Sequence, residues 1–139
     1  MTSQTILLVE DDDSVAGVVQ LILRRIATVE RVATGHDALA RVARGGVDLI
    51  VLDLGLPDLN GTEVCRLARI DGYAGAVLVL TAQHGSEPRE QAFGVGADDF
   101  LNKPFTIPGL LARVRRLLDH RSGESPSSSR PGEDALADR

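Results

Sequence analysis

Fifteen of the chain's 139 side chains are basic; fourteen of them are Arg, and the single Lys is Lys103. Arg presents a flat fork, whereas Lys brings a compact charge on a flexible stem to one oxygen. A chain that uses Arg everywhere else and keeps one Lys points to a position that needs an ammonium. Carboxylates gather at two other places: Glu10, Asp11 and Asp12 directly after the apolar run 6–9, and Asp53 directly after the run 49–52. Thr81 and Ala82 close the run 76–80, and Asn102, Lys103 and Pro104 follow the short run 98–101. Carboxylates within a few ångströms of each other repel, which raises their pKa values unless a cation neutralises them. All-oxygen ligation without His or Cys suits a hard ion, and Mg²⁺, which keeps several waters, fits two or three protein ligands. A carboxylate nucleophile, a metal, a hydroxyl donor and an ammonium on one rim are the equipment of phosphoryl transfer. The cation and Lys would neutralise the phosphoryl oxygens while the carboxylate attacks phosphorus.

Such a rim requires elements that end together. The first 120 residues alternate between short apolar runs and amphipathic stretches. Runs at 6–9, 49–52 and 76–80 predict strands, with weaker strands at 28–33 and 98–101. Val15, Val18, Val19, Ile22, Leu23 and Ile26 follow helical spacing. A short helix over 37–44 would turn Ala38, Leu39 and Val42 inward. Helices are also predicted over 62–70 and 87–95, and a last one carries Leu110, Leu111, Val114, Leu117 and Leu118 on one face. Five strand–helix pairs in alternation, with continuously apolar strands, predict a parallel sheet covered by helices on both faces. Right-handed crossovers at this length favour an open, flavodoxin-like, five-stranded parallel sheet of order 2-1-3-4-5 over a barrel. Ligands of such sheets bind outside the carboxyl ends of the strands, where the residues above stand.

Composition narrows the function further. Net charge is −5, apolar residues make up 43% and aromatics 3%, so the core must be built from Val, Leu, Ile and Ala. No apolar run approaches the ~18 residues of a membrane span, and no signal-peptide pattern opens the chain. Cys65, the one cysteine, excludes an internal disulfide and a thiolate metal cluster. An acidic chain without a basic tract is a poor binder of nucleic acid. A cytoplasmic protein with one domain over residues 1–120 is expected. Residues 121–139 hold five Ser, two Pro and two Gly, with Leu136 their one large apolar side chain. They are expected to form a disordered tail or linker.

Four segments carry a family resemblance. Ile6-Leu-Leu-Val-Glu-Asp-Asp, Asp48-Leu-Ile-Val-Leu-Asp-Leu-Gly-Leu-Pro-Asp-Leu-Asn-Gly, Val79-Leu-Thr-Ala and Gly96-Ala-Asp-Asp-Phe-Leu-Asn-Lys-Pro-Phe stand in register over residues 4–120. Together they resemble the receiver domain of two-component response regulators. The resemblance implies that Asp53 is the phosphoacceptor. It implies that Asp11 ligates Mg²⁺ directly, that Glu10 acts through water, and that the Gly55 carbonyl completes the protein's share of the metal sphere. Thr81 and Lys103 would hold the phosphoryl oxygens, and Thr81 with Phe100 would form the switch, changing a partner-binding surface of the fourth helix, fifth strand and fifth helix. Lys103–Pro104 is the position of a cis peptide by the same resemblance, since only about 5% of X–Pro bonds are cis. The donor would be a sensor histidine kinase or a phosphotransfer protein. The readout would be an output protein or an output domain outside this chain, with a phosphorylation-dependent dimer as one form, and without turnover of the kind that defines an enzyme.

Several residues have plainer uses. Asp12 and Asp13 suit a helix start, Asp58 and Asn60-Gly61 a turn, and Cys65 the core. His36, His84 and His120 lack metal-ligand pairing and are expected on the surface. Arg113, Arg115 and Arg116 suit a solvated or ion-paired face. Asp99 and Arg113 are similar to one ion pair of the dimer face of winged-helix regulators, but Gln91 and Gly109 stand where that group carries charged partners. Gly55 and Gln83, two residues after Asp53 and Thr81, are the positions that in the family tune access of water to the acyl phosphate. Two other functions compete: a degenerate receiver that only binds partners, and a phosphatase of the haloacid-dehalogenase type. The second would want a carboxylate where Gly55 stands.

Overall fold

Residues 6–9 of the first strand are at most 2% exposed, as an unbroken apolar run covered from both sides must be. In this computed structural model, which describes residues 4–83 and 85–122, that strand is β1 (Thr5–Val9). It is followed by α1 (Asp13–Leu23), β2 (Thr28–Val32), α2 (Gly35–Ala43), β3 (Leu49–Leu52) and α3 (Gly61–Ile70). Then come β4 (Ala76–Thr81), α4 (Ser86–Gly94), β5 (Asp99–Asn102) and α5 (Ile107–Ser122). The strands form one sheet of order β2-β1-β3-β4-β5, and every neighbouring pair is parallel. This is the doubly wound arrangement that the alternating pattern predicts.

Strand alternation divides the core between the two faces. Ile6 and Leu8 pack with Val19, Leu23, Leu110 and Val114 under α1 and α5. Leu7 and Val9 pack with Ala38, Val64, Cys65 and Phe100 on the side of α2, α3 and α4. Two helices therefore cover one face and three the other, and all five strands point their carboxyl ends at one rim.

The element boundaries differ from the sequence pattern where caps decide them. α2 begins at Gly35, two residues early, because Asp58 of a distant loop accepts the N–H groups of Gly35 (2.8 Å) and His36 (2.9 Å). Thr34 Oγ1 takes that of Asp37 at 3.1 Å. α1 stops at Leu23, so Ile26 lies in the following turn, and Val18 faces outward, 57% exposed, although it shares the helical spacing of the core residues. α4 starts at Ser86 after Gly85, whose φ of 103° is accessible to glycine and strained for other residues. Ala92 is its one buried residue. α5 runs on through Ser122, past the boundary expected at 120, while His84 and residues 123–139 lie outside the described residues. Among the described residues no helix is long and apolar enough to cross a membrane.

Candidate functional site

The rim is assembled by the ladder. Beyond the end of β1, Glu10 stays in line because its N–H donates to Val32 O at 3.1 Å, and Asp53 is held alongside by its N–H bond to Val9 O, also 3.1 Å. One carboxylate oxygen from each of Glu10, Asp11 and Asp53 lies within 4.8 Å of the others. Lys103 enters from the end of β5, anchored by a 2.8 Å bond from its N–H to Thr81 O. Its Nζ donates to Glu10 Oε1 at 2.9 Å and stands 3.9 Å from Asp53 Oδ1. The Lys103–Pro104 peptide is cis.

The three carboxylates are not equivalent. Glu10 is 3% exposed, with Oε1 on Lys103 and Oε2 accepting the Asp12 N–H at 3.2 Å. Burial pushes its pKa above the ordinary carboxylate value, and the nearby Asp53 charge adds to that rise. The Lys103 and Asp12 hydrogen bonds oppose it without cancelling it. Asp11 is exposed. The Asp53 side chain is 12% exposed, and the open quarter beside it belongs to Gly55, where a Cβ would come 4.0 Å from Asp53 Oδ2. Gly55 forms an isolated antiparallel bridge with Asn60, which folds the loop back on itself before α3. Gly61, the first residue of α3, then packs its Cα against the main chain of Asp53 and Leu54. A Cβ there would lie 2.4 Å from the Asp53 carbonyl oxygen.

Thr81 is 1% exposed, and its Oγ1 accepts the Gln83 N–H at 3.1 Å, which leaves the hydroxyl proton available to donate. Asn102 Nδ2 donates to Gln83 O at 2.7 Å and ties the loop after β4 to the end of β5. Phe100 is buried on the α3–α4 side, with the Arg89 guanidinium 6.0 Å from its ring centroid. Glu10, Asp11, Asp53, Gly55, Thr81 and Lys103 therefore meet at one rim, with Phe100 one rung back on β5. Asp12 is a cap, accepting the Val15 N–H at 2.9 Å, and Asp13 lies in the first turn of α1.

The remaining residues singled out by sequence fall elsewhere. Cys65 is buried in the core, and exposed His36 pairs with Asp58 through Nδ1 at 2.6 Å. His120 is exposed. Arg113 reaches Asp99 at 2.8 Å and Arg116 closes on its other oxygen, both within the chain. A hollow lined by Leu39, Val42 and Tyr73 sits at the opposite end of the strands, away from every carboxylate of the rim. Arg31, given no role by the sequence pattern, does reach the rim: its Nε donates to the Glu10 carbonyl at 2.8 Å. An arginine inside an edge-strand segment was the signal that could have found it.

Comparison with known proteins agrees with this geometry. The response regulator receiver domain family matches residues 6–115. The transcriptional regulatory protein CiaR of Streptococcus pneumoniae is 40% identical over 119 residues, covering 86% of this chain and 53% of that protein. The sensory transduction protein RegX3 of Mycobacterium tuberculosis is 36% identical over 133 residues, covering 95% of this chain and 57% of its own length. The chain thus spans about half the length of these curated relatives. Among solved structures, a CheY-like receiver domain protein from Methanospirillum hungatei superposes with a TM-score of 0.84 at 27% identity, covering 89% of this chain and all of that one. The BeF3-activated DrrB receiver domain gives 0.79 at 34% identity, covering 85% of this chain and 99% of its own. With the family match spanning most of the chain and the strand order and rim in place, this protein belongs to the response regulator receiver domains of two-component signalling.

Proposed function

We propose that Asp53 accepts a phosphoryl group, with Mg²⁺ held by the carboxylates of Asp11 and Asp53 and the carbonyl of Gly55, and by Glu10 through water. One observation carries this reading: three carboxylates converge within 4.8 Å while the chain's one ammonium stands 2.9 Å from Glu10 and 3.9 Å from Asp53. The donor set is all oxygen, without His or Cys, as a hard divalent ion prefers. When bound, the ion supplies positive charge against the carboxylates and the phosphoryl oxygens. An Asp53 oxygen attacks phosphorus of a phosphohistidine on a sensor histidine kinase or phosphotransfer protein. A P–O bond forms, the P–N bond breaks, and the imidazole leaves with its electron pair and takes up a proton. Lys103 then offers its ammonium, and Thr81 its free hydroxyl proton, to the new phosphoryl oxygens.

The consequence is a changed surface. Thr81 follows the phosphoryl group, the loop tied by Gln83 and Asn102 shifts with it, and Phe100 beneath α4 repacks, altering the face built by α4, β5 and α5. This face is read by an output protein or an output domain. The second possibility draws support from relatives of whose length this chain spans only about half, among them one named a transcriptional regulatory protein. Residues 1–120 act as the receiver unit, and the acidic chain does not contact nucleic acid itself. The test is incubation with acetyl phosphate with and without Mg²⁺, followed by intact mass. A gain of one phosphoryl group that requires Mg²⁺ and disappears in Asp53→Asn is the expected result. If neither a mass gain nor a beryllofluoride-induced spectral shift occurs, Asp53 is not an acceptor.

A further inference from the structure

We propose that Arg31 is a positioning residue for the divalent-cation site, fixing the turn that presents Glu10 and Asp11; this rests on the metal reading above. β2 is the edge strand of the sheet, and Arg31 pairs in register with Leu8 of β1. Arg31 therefore projects to the same face as Leu8, the one covered by α1, and its side chain can run alongside β1 toward the rim. There the main-chain ladder is ending. Glu10 still donates its N–H to Val32 O at 3.1 Å, but the chain then leaves the sheet, and Thr34 already caps α2. The Glu10 carbonyl would lose its next ladder partner, and Arg31 Nε supplies one at 2.8 Å. The same guanidinium places Nη1 3.0 Å from Asp13 Oδ1 in the first turn of α1.

Arg31 thus holds the β1–α1 turn at its start through the Glu10 carbonyl and reaches the exposed Asp13 side chain beyond it, with Asp11 between them. Lys103 holds the same turn from the opposite side through Glu10 Oε1. Only 22% of the Arg31 side chain is exposed, and among the described residues its Nη2 is buried with no hydrogen-bond partner. An unpaired buried N–H is a cost that the two bonds to the turn must outweigh. The guanidinium meets the two acceptors through separate nitrogens of one rigid fork, whereas a lysine would have to serve both from a single point charge on a flexible stem.

Positioning and simple charge make opposite demands, which gives a decisive experiment. A cation beside three carboxylates repels a divalent ion, so if Arg31 acts through charge alone, its removal tightens binding. If it fixes the turn, removal weakens binding. Mn²⁺ affinity of the full chain would be measured by electron paramagnetic resonance for wild type, Arg31→Met and Arg31→Lys, below the melting transition of each. Loss of an outer partner of this kind lowers metal affinity by about tenfold. Arg31→Met is expected to bind about tenfold more weakly, with Arg31→Lys between it and wild type. Equal or tighter binding by Arg31→Met overturns the inference. Should Arg31→Met fail to fold, Arg31→Lys decides: weaker binding supports the inference and unchanged binding refutes it. A wild type that binds no Mn²⁺ removes the metal reading itself, and the inference with it.

Discussion

Two glycine-to-alanine substitutions, identical in chemistry, are expected to move this protein in opposite directions. In Gly61→Ala the new Cβ would lie 2.4 Å from the Asp53 carbonyl oxygen, 2.7 Å from Leu54 Cα and 3.0 Å from Asp53 C. All three obstacles are main chain and cannot rotate away, and the Gly61 N–H is fixed by its 2.9 Å bond to Leu54 O. Overpacking of this kind costs roughly 1–3 kcal/mol or more. The opposing gain, better helix propensity and a less flexible unfolded chain, is at most about 1 kcal/mol. At Gly17, in the middle of α1, nothing lies within 4 Å of a Cβ, so only the gain remains, about 0.5–1 kcal/mol. At roughly 3–6 °C per kcal/mol for a domain of this size, Gly61→Ala should melt several degrees lower and Gly17→Ala a few degrees higher than wild type. The chain lacks Trp, so far-ultraviolet circular dichroism is the suitable probe. Because the clash falls on the Asp53 main chain, labelling by acetyl phosphate should slow at least tenfold in folded Gly61→Ala, since misplacement by about 1 Å can cost ~10²-fold, and stay unchanged in Gly17→Ala. A Gly61→Ala protein as stable and as readily labelled as wild type would refute the claim that this close approach sets the acceptor's position.

Three further outcomes follow from the ion pairs. Lys103→Met removes the larger of the two hydrogen-bond contributions that oppose the burial-driven rise of the Glu10 pKa. Carbon-13 NMR should therefore find Glu10 titrating higher than in wild type. The folded form then holds that proton more tightly than the unfolded one, so stability should fall as pH rises from the ordinary carboxylate value through the raised one. Asp58 has the opposite sign: the Gly35 and His36 N–H groups hold its carboxyl well below the usual range. Asp58→Ala should lower Tm by several degrees at neutral pH, and the gap from wild type should close in strong acid as Asp58 protonates in the folded state. Asp99, with its side chain 10% exposed, is held by both Arg113 and Arg116. Either Arg→Ala change should cost about 1 kcal/mol or less in urea unfolding, because the other arginine remains. The double variant leaves a buried carboxylate without a countercharge, held by the Phe100 N–H at 2.8 Å, and should cost about 3 kcal/mol, more than the sum.

The parts legible in the sequence are those that depend on local order. Unbroken apolar runs at 6–9, 49–52 and 76–80 announce strands. In a parallel sheet the residues following such runs necessarily share a rim, which is why Glu10, Asp53, Thr81 and Lys103 can be collected from the sequence alone. What stays hidden depends on side chains that bridge distant segments. Arg31 meets Glu10 across 21 residues, Asp58 meets Gly35 across 23, and Arg69 meets the Gly96 carbonyl across 27. No periodicity encodes such pairs. α4 is hard to delimit for another reason. With Ala92 its one buried residue, it has almost no apolar stripe, and its start is set by the backbone of Gly85. Periodicity also overreaches at Val18, which matches the helical spacing of its neighbours yet faces solvent.

If phosphoryl transfer takes place at this rim, the geometry favours one carboxylate as the acceptor. A nucleophilic carboxylate must be ionised, have a free lone pair and stand where phosphorus can approach. Glu10 fails on access: it is 3% exposed, and both of its oxygens already accept hydrogen bonds. Asp11 is exposed and next in line, but Lys103 pairs with Glu10 and Asp53 and not with it. Asp53 has the ammonium at 3.9 Å, close enough to neutralise an incoming phosphoryl oxygen without occupying the attacking one. Among the described residues nothing donates a hydrogen bond to its carboxylate, and the missing side chain of Gly55 opens the approach to Oδ2. Reduction of the labelled protein with borohydride, followed by peptide mass spectrometry, should convert residue 53 alone into homoserine. Conversion at Glu10 or Asp11 would mean that something other than access and charge selects the acceptor.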